Sequence, residues 1–583
     1  MKKLVTLLAV LGFTCAVAQS GTYVEQAFGD VDTLDPVQAY DSASGQVIEN
    51  VYEGLYGYLG DSVTEYEPRL ATSYEESEDG LTYTFTLRDG VKFHSGNPFT
   101  CADVEYSFQR ALVTNPPDSG AWILMEPLTG YYSDVNTELG EEATDEQYAE
   151  AWQKIDDSVQ CLDDQTVQFN LVQPDPAFFA KTLFYAGAIV DSQWAIENAM
   201  WDGTQATWRD WVGVDLRDYY LQSHMSGTGA YKLVALEPGV RVVAEANPDY
   251  WGEAPAIQNV ILQQVEDEAA RIQALKAGDA DNIALGSRAS LPQVEGQAGV
   301  KVYDAAKDET LGWTSVAVGA AFLNQAINAT DNPNIGSGKL DGFGIPPDFF
   351  TDIHVRKCFN YAYDVDTYIR DVLQGEGEQI TMALPPSYLG YDSSVSTYSF
   401  DLEKAEEECK LAWDGQLWEN GMYMTISYNT GNSGRQTSAE ILKSNLEFLN
   451  PKFKVDVKGI QWSDFLSQRR IKNLPVSIVS WIPDYADPDN YVHTFYATEG
   501  YYASDSAYSN AAIDELDTEA RTSLDTEQRK SLYSQIGQAG YEDAPFILQP
   551  VGIPFIVTSD SLQGVYRNPM LSGAYLWKDL SKN

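Results

Sequence analysis

The side chains best suited to chemistry stand in one short stretch, Trp481 to Tyr491, which is rich in carboxylates and aromatic rings. It follows an apolar, β-branched run at 476–480 that predicts a buried strand. The stretch itself is therefore expected to be irregular backbone at a strand end, where binding groups often lie. Its several carboxylates, with the rings of Trp481 and Tyr485, could serve as binding groups there. The alternative is a solvated turn, because Asp-Pro pairs favour turns.

Catalysis finds little support in the residue pattern. Asp484 and Asp487 could form the carboxylate pair of a glycosidase, but a chain with 86 acidic residues contains such pairs by chance. The four His residues are scattered without the spacing of a metal site, and no metalloprotease, serine-hydrolase or nucleotide-binding motif occurs. We therefore expect no enzyme, no catalytic residue, no metal and no cofactor.

The composition is that of a large, strongly acidic, globular protein. A chain of 583 residues exceeds a single core, and the usual domain size predicts three or more domains. Apolar residues make up 44% of it, yet no apolar run approaches the roughly 20 residues that cross a bilayer. The net charge of −49 argues against nucleic acid and anionic membranes as partners. Such a charge also suits a saline habitat.

The first residues have the pattern of an export signal. A charged start at 1–3 precedes an apolar stretch at 4–17, and a small-residue cleavage motif ends at Ala18. We expect cleavage after Ala18 and a mature protein in the periplasm or at the cell surface. A lipid anchor on Cys15 is the disfavoured alternative, because Phe13 is bulky where lipoprotein signals have small residues.

Four cysteines remain beyond the signal, and an even count in an exported chain favours disulfides. Three pairings are possible. We expect Cys101 to bond Cys161 and Cys358 to bond Cys409, because each bond then closes a loop within one part of the protein. The chain has no CxxC or Cys/His cluster, which argues against a zinc site.

The elements that must position these residues alternate between strands and helices. Residues 81–87 alternate as in a half-buried strand, residues 100–103 begin a capped helix, and residues 266–276 predict a short helix. The turn-rich stretch 428–436 opens another helix with apolar side chains at helical spacing. Recurring strand, loop and helix predict an α/β protein.

A long run of motifs resembles one known family. Residues 79–108 contain DGLTYTFTLRDGVKFHSGNPFT followed by ADVEYSF, and GTGAYKL, NPDYWG and VRKCFNYAYD follow at 227–233, 247–252 and 355–364. Together with the stretch 481–491, these motifs resemble the extracellular solute-binding proteins of peptide and nickel ABC importers, family 5. The resemblance covers nearly the whole mature chain.

The resemblance implies a bilobed α/β periplasmic-binding fold, class II-like and of cluster C, with an extra inserted domain. Two lobes would close over a ligand by hinge motion. The chain is expected to cross between the lobes near 303 and 544. The expected parts are a signal at 1–18, lobe I at 19–64, 195–303 and 544–583, the inserted domain II at 65–194, and lobe II (domain III) at 304–543.

The same resemblance implies a ligand site around Asp484. An Asp of this loop receives the α-amino group of the peptide in family members, and the Trp-x-x-Asp pattern carries that role to Asp484. A partner for the ligand's carboxylate is less clear, because Tyr428 stands at or near the place of the family's Arg, whereas Arg435 could face a carboxylate or cap its helix. Further candidates, for which a core position is the alternative, are Trp481, Tyr485, Asn429, Asn324 and Trp313.

The implied function is that of the substrate-binding subunit of an ABC importer. Such a subunit captures a di- or oligopeptide outside the membrane, closes around it and delivers it to a permease, while a separate subunit hydrolyses ATP. We expect a monomer. The alternatives are the same fold binding a sugar, an amine or another cationic solute and, with less support, an exported hydrolase.

Overall fold

The computed structural model describes residues 21–583, which form the predicted α/β protein. Three main sheets have apolar cores of their own. The predicted signal at 1–18 and Cys15 lie outside the described residues. Within 21–583, no helix combines the length and the apolarity needed to cross a membrane.

The first sheet has seven strands, drawn from segments far apart in the chain. Thr22–Ala27 pairs in parallel with Asn259–Gln264 and with Asn282–Ile283, and the other pairings are antiparallel. The beginning and the end of the described chain are thereby joined in one unit. The strand order is Val300–Asp304, Phe555–Ser559, Asn282–Ile283, Thr22–Ala27, Asn259–Gln264, Arg241–Ala246, Tyr231–Glu237.

The second sheet is antiparallel and lies within the predicted inserted domain. Thr82–Leu87 alternates as predicted, with its odd-numbered side chains buried. Helix Cys101–Thr114 packs beside this sheet and begins with a capping box, in which the backbone N–H of Thr100 donates to Asp103 over 2.9 Å. The strand order is Ala71–Glu76, Thr82–Leu87, Thr166–Asn170, Val159–Asp163.

The third sheet is mixed and carries the predicted buried strand at its centre. Val476–Trp481 runs parallel to Met422–Asn429 and antiparallel to Val318–Leu323. Its residues are buried apart from the half-buried Ser480, so it delivers the stretch that follows Trp481 to one end of the sheet. The strand order is Phe453–Ile460, Met422–Asn429, Val476–Trp481, Val318–Leu323, Phe546–Leu548.

The helices cover the sheets, and three short strand pairs complete the fold. The α-helices are Ser42–Val51, Cys101–Thr114, Trp122–Thr129, Val135–Leu139, Asp145–Ser158, Phe178–Lys181, Ser192–Glu197, Glu268–Ala277, Ile353–Ala362, Val365–Asp371, Leu402–Leu411, Gln416–Asn420, Ser433–Leu449, Trp462–Arg470, Asp489–Tyr496, Tyr501–Asp505, Ala511–Thr522 and Thr526–Asp543. The short pairs are Tyr56–Tyr58 with Tyr66–Pro68, Gly377–Glu378 with Val551–Gly552, and Leu562–Gln563 with Ser581–Lys582.

The chain passes between the seven-stranded and the five-stranded sheet twice. It leaves the first sheet after Val300–Asp304 and enters the other at Val318–Leu323. It returns between Phe546–Leu548, which pairs in the five-stranded sheet, and Phe555–Ser559. The return therefore comes a few residues after the predicted crossover near 544, and the domain limits stay a prediction.

Both expected cysteine pairs lie at bonding distance. Cys101 joins Cys161 and Cys358 joins Cys409. The first bond ties the start of helix Cys101–Thr114 to strand Val159–Asp163, and the second ties helix Ile353–Ala362 to helix Leu402–Leu411. Each bond thus stays within one structural unit, as predicted.

We expect the first of these bonds to stabilise the second sheet and its helix. Replacing Cys101 and Cys161 together by Ser should lower the free energy of unfolding by about 2–4 kcal/mol, because the unfolded chain loses the closure of a loop that spans 60 residues. Urea denaturation of the oxidised protein, with the double variant alongside, measures this loss. An unchanged midpoint would show that the bond does not constrain the unfolded chain.

Candidate functional site

Asp484 lies just beyond the central strand Val476–Trp481 and is only 6% exposed. Its Oδ2 atom accepts hydrogen bonds from the hydroxyl of Tyr40 at 2.8 Å and from Nδ2 of Asn490 at 2.9 Å. The Tyr40 hydroxyl in turn accepts from Nε1 of Trp122 at 3.0 Å. Residues from the first segment, the predicted inserted domain and the third sheet therefore meet at this carboxylate.

The loop that carries Asp484 is held by the side chain of Asn490. Its Oδ1 atom accepts from the backbone N–H of Asp484 and from Nε1 of Trp481, both at 2.9 Å. Asn490 belongs to helix Asp489–Tyr496, which begins inside the predicted irregular stretch. The carboxylate is thus fixed in place by the elements on both sides of it.

The other acidic residues of the stretch are engaged in ion pairs. Asp487 is bonded by Arg529, with an Nη1–Oδ2 distance of 3.0 Å. Asp489 lies 3.6 Å from the ammonium of Lys181 and 3.7 Å from the guanidinium of Arg521, and these cations hold its pKa well below the usual range although burial acts against them. Such carboxylates are structural and are not free to receive a ligand.

Asp484, by contrast, has no cation partner among residues 21–583. Burial raises its pKa to about 7, even though the hydrogen bonds from Asn490 and Tyr40 favour the ionised form. Because the buried carboxylate is costly to ionise, a ligand cation that reaches it would stabilise its ionised form. The lack of a cation partner separates Asp484 from Asp487, whose pKa burial also raises to about 7 but which is bonded by Arg529.

A cavity of about 170 Å³ lies against Asp484, and we call it the Asp484 cavity. Its wall is largely aromatic, and the Tyr40 ring meets Trp481 edge to face at a centroid distance of 5.5 Å. The aromatic lining residues are Tyr40, Phe184, Tyr185, Trp462, Trp481, Tyr501 and Tyr502. A buried carboxylate in a cavity lined largely by aromatic residues suits an organic cation.

A second cavity of about 500 Å³, the sheet cavity, adjoins the first. It is bounded by strands of the seven-stranded sheet, among them Thr22–Ala27 and Asn259–Gln264. The two cavities share part of their lining, so a ligand held at Asp484 can extend into the larger space, whose volume is typical of small-molecule sites. The shared residues are Ser42, Arg435, Trp462, Ile482 and Ser572.

Arg435 lies where the two cavities meet. Helix Ser433–Leu449 is capped by Asn432, so the side chain of Arg435 is not needed as a cap. It donates from Nη1 to Oδ1 of Asn429 at 2.7 Å and has no carboxylate partner among the described residues. Burial lowers its pKa to about 10, which leaves it charged at neutral pH. It is therefore available to an anionic group.

The structure brings four of the predicted site residues together and leaves four elsewhere. Trp481, Asp484 and Arg435 line the Asp484 cavity, and Asn429 lines the sheet cavity beside Arg435. Those that line neither cavity are Tyr428, Tyr485, Asn324 and Trp313.

The four residues outside the cavities have structural partners. Tyr485 is fully buried and its hydroxyl donates to Asp489, and Asn324 bonds the backbone carbonyls of residues 472 and 474. The Trp313 ring lies 6.2 Å from Tyr303. The Tyr428 side chain lies beside Gly459 on the neighbouring strand. Tyr485 and Asn324 are therefore buried among structural partners, whereas Trp313 is only half-buried.

Sequence reasoning missed several lining residues. Tyr40, Asp41 and Tyr185 come from distant parts of the chain, and Trp462 opens the helix after strand Phe453–Ile460. The one local signal was available at Asp41, since Asp directly before a helical pattern is a common N-cap. Among the described residues, no group of His, Cys, Asp or Glu is arranged to hold a metal ion.

Known proteins resemble this chain over most of its length. Heme-binding protein A of Haemophilus influenzae is 25% identical over 571 residues, which cover 97% of this chain and 89% of that protein. Di/tripeptide-binding protein 2 of Pseudomonas aeruginosa is 26% identical over 534 residues, or 89% and 87% of the two chains.

A solved structure has the same fold. The ABC transporter-associated periplasmic binding protein DppA from Helicobacter pylori, in complex with the peptide STSA, superposes with a TM-score of 0.74 at 22% identity and covers 96% of this chain and 98% of its own. This likeness confirms the bilobed periplasmic-binding fold. The family model of the bacterial extracellular solute-binding proteins, family 5 (middle), matches residues 65–503. The chain belongs to the bacterial extracellular solute-binding proteins of family 5.

Proposed function

We propose that the protein captures a small peptide outside the membrane and delivers it to the permease of an ABC importer. The observation that carries the proposal is the buried carboxylate of Asp484, which faces a cavity without a cation partner in 21–583. The amino group of a peptide would supply that cation. The relative of Pseudomonas aeruginosa is named for di- and tripeptides, and the DppA structure holds a peptide.

The energetics favour an amino-bearing ligand over a neutral one. An ammonium group that reaches Asp484 forms a charge-assisted hydrogen bond in a water-poor site. A ligand without a cation leaves the carboxylate buried and unpaired, or forces it to take up a proton. A sugar therefore fits this site less well than a peptide or an amine.

Arg435 offers a place for a negatively charged group of the same ligand. Its guanidinium lies at the junction of the two cavities and has a carbonyl-type partner, Asn429, rather than a carboxylate. A carboxylate that binds there can replace or share this bond with a stronger, charge-assisted one. A zwitterionic peptide would then use Asp484 for its amino group and Arg435 for its carboxyl group.

The rest of the proposal follows from the family and the fold. The two lobes close around the ligand by hinge motion, and the ATPase and permease are separate subunits at the membrane. The protein acts as a monomer outside the membrane, once its signal has been cleaved after Ala18. No step of this cycle requires a reaction at the ligand, so no catalytic residue is proposed.

The direct test compares a peptide with its N-acetylated form. Trialanine and N-acetyl-trialanine differ in the positive charge of the amino group, and isothermal titration calorimetry at pH 7.5 reports both affinities. We expect the acetylated peptide to bind at least about a hundredfold more weakly. Equal affinities would refute the role of Asp484 as an ammonium receptor, and no binding of either peptide would refute peptides as the ligand.

The affinity for trialanine should depend on pH in a bell shape. Below pH 7 the raised pKa of Asp484 means that protons compete with the ligand for the empty site, so the affinity should fall by about tenfold or more between pH 7.5 and 5.5. Above pH 8 the peptide loses its own amino proton. The same titration on Asp484→Asn should lack the acidic limb, whereas an acidic limb of equal size in that variant would point to another group.

A further inference from the structure

A second buried carboxylate, that of Asp41, lines the Asp484 cavity. Its residue is 8% exposed. One oxygen, Oδ1, caps helix Ser42–Val51 by accepting the backbone N–H groups of Ala43 and Ser44 at 3.0 and 3.1 Å. The other oxygen, Oδ2, has no hydrogen-bond partner among residues 21–583. Capping therefore explains the position of Oδ1 but gives no role to Oδ2.

Among the residues that the structure describes, no cation pairs with Asp41. Nε1 of Trp462 donates to Oδ1 at 3.1 Å, and the negative charge of Asp32, itself paired with Arg217 at 3.0 Å, acts against the ionisation of Asp41. Burial and Asp32 together raise the pKa of Asp41 to about 6. A neutral Asn or Ser would cap the helix as well without this cost, so the carboxylate has a further use to be explained.

Asp41 and Asp484 belong to the same small space. Asp41 directly follows Tyr40, whose hydroxyl donates to Asp484. The hydroxyl of Tyr185 lies close enough to both carboxylates that, after burial, each of them raises its pKa. A ligand whose amino group meets Asp484 therefore has its neighbouring atoms within the region of Asp41.

The charges that line the Asp484 cavity do not balance for a simple zwitterion. Arg469 is paired with Asp505 at 2.7 Å, which leaves Arg435 as the cation and Asp41 and Asp484 as the anions among the described lining residues. A ligand with one amino and one carboxyl group satisfies Arg435 and one carboxylate. The other carboxylate would stay buried and unpaired, which is unfavourable.

We propose that Asp41 is a second cation-binding carboxylate and that the site selects ligands with a second positive charge close to the amino group, such as peptides that begin with Lys or Arg. The Trp462 side chain links this carboxylate to the cation of the cavity, because its Nε1 donates to Asp41 and its ring lies 5.9 Å from the guanidinium of Arg435. The inference rests on the proposed function only in taking the ligand to be a peptide.

The test uses two tripeptides that share the same backbone and the same four-carbon first side chain. Lys-Ala-Ala and norleucine-Ala-Ala differ by the side-chain ammonium, and calorimetry on the full mature protein gives the ratio of their affinities. We expect the Lys peptide to bind about tenfold more tightly or better. Asp41→Asn keeps an oxygen to cap the helix and should bring the ratio close to one; Asp41→Ser is a second capping variant with the same expectation. Asp267→Asn, at the N-cap of helix Glu268–Ala277 and outside both cavities, is the matched control and should keep the ratio.

The possible results distinguish the role of Asp41 from the choice of a peptide as the ligand. Equal binding of both peptides, or a Lys preference that survives in Asp41→Asn, would overturn the inference while the proposed peptide function stands. If neither peptide binds but the diamine cadaverine binds and loses affinity in Asp41→Asn, the role of Asp41 stands and the peptide proposal fails. If none of the three ligands binds, both proposals fail.

Discussion

Replacing Asp484 by Asn is expected to weaken the binding of an amino-bearing peptide by about a hundredfold or more at pH 7.5. The amide keeps an oxygen for the hydrogen bonds from Tyr40 and Asn490, so the local structure should persist. What is lost is the negative charge opposite the ligand's ammonium, and breaking one partner out of a buried ion pair costs about 3–5 kcal/mol. Calorimetry with trialanine measures this directly.

The same variant should make the empty protein more stable at pH 8. The pKa of Asp484 is about 7 in the folded protein, above the roughly 3.9 of an unfolded Asp. The ionisation of this group therefore lowers the free energy of unfolding as the pH rises from about 4 to 7. Asn removes that cost, so the free energy of unfolding should rise by on the order of 2–4 kcal/mol at pH 8. The gain should be much smaller at pH 5. Thermal unfolding at both pH values tests the sign.

Two results would count against this account of Asp484. The first is an unchanged affinity for trialanine in Asp484→Asn. The second is a loss of stability at pH 8, which would mean that the carboxylate is paired in the empty protein. Asp489→Asn is the matched comparison, because Lys181 and Arg521 hold the pKa of Asp489 well below its usual range; this variant should destabilise the empty protein at pH 8.

The second large effect concerns the fold. Asp35 and Arg110 form an ion pair whose side chains are both fully buried, and Nη1 of Arg110 donates to Asp35 at 3.0 Å. Asp35→Ala leaves the guanidinium buried without a counter-ion, so we expect the free energy of unfolding to fall by about 3–5 kcal/mol. Urea denaturation, followed by fluorescence, measures the change.

Two controls separate charge from packing at this pair. Asp35→Ala combined with Arg110→Met removes both charges, and it should recover part of the loss because an apolar side chain tolerates the same site. Asp145→Ala breaks the exposed pair with Arg209 and should leave the midpoint nearly unchanged. A fall of equal size in the double variant would assign the loss to packing alone.

Local sequence was sufficient where a signal is contained in a few neighbouring residues. The β-branched run before Trp481 forms the buried strand at 476–481, and the capped helix begins at Cys101 as its pattern predicts. The two cysteine pairs follow from counting and from closing loops within one unit. Asp484 was singled out by the family motif.

The wall of the site could not be predicted in the same way. Tyr40, Tyr185 and Trp462 lie far apart in the sequence and meet at Asp484 only because the three sheets pack together. Aromatic side chains carry no mark that separates a cavity wall from a core, and Tyr485 is fully buried beside a residue that faces the ligand space. The partner of each carboxylate is likewise a tertiary property: Asp487 has Arg529, whereas Asp484 has no cation in 21–583.

The most direct test of the central claim is native mass spectrometry of the protein taken from its own host, with Asp484→Asn prepared in parallel. We expect a bound solute of low mass that carries at least one amino group, visible as a mass increment on the native protein and absent from the variant. A bound solute without any cationic group, or the same increment on Asp484→Asn, would contradict it.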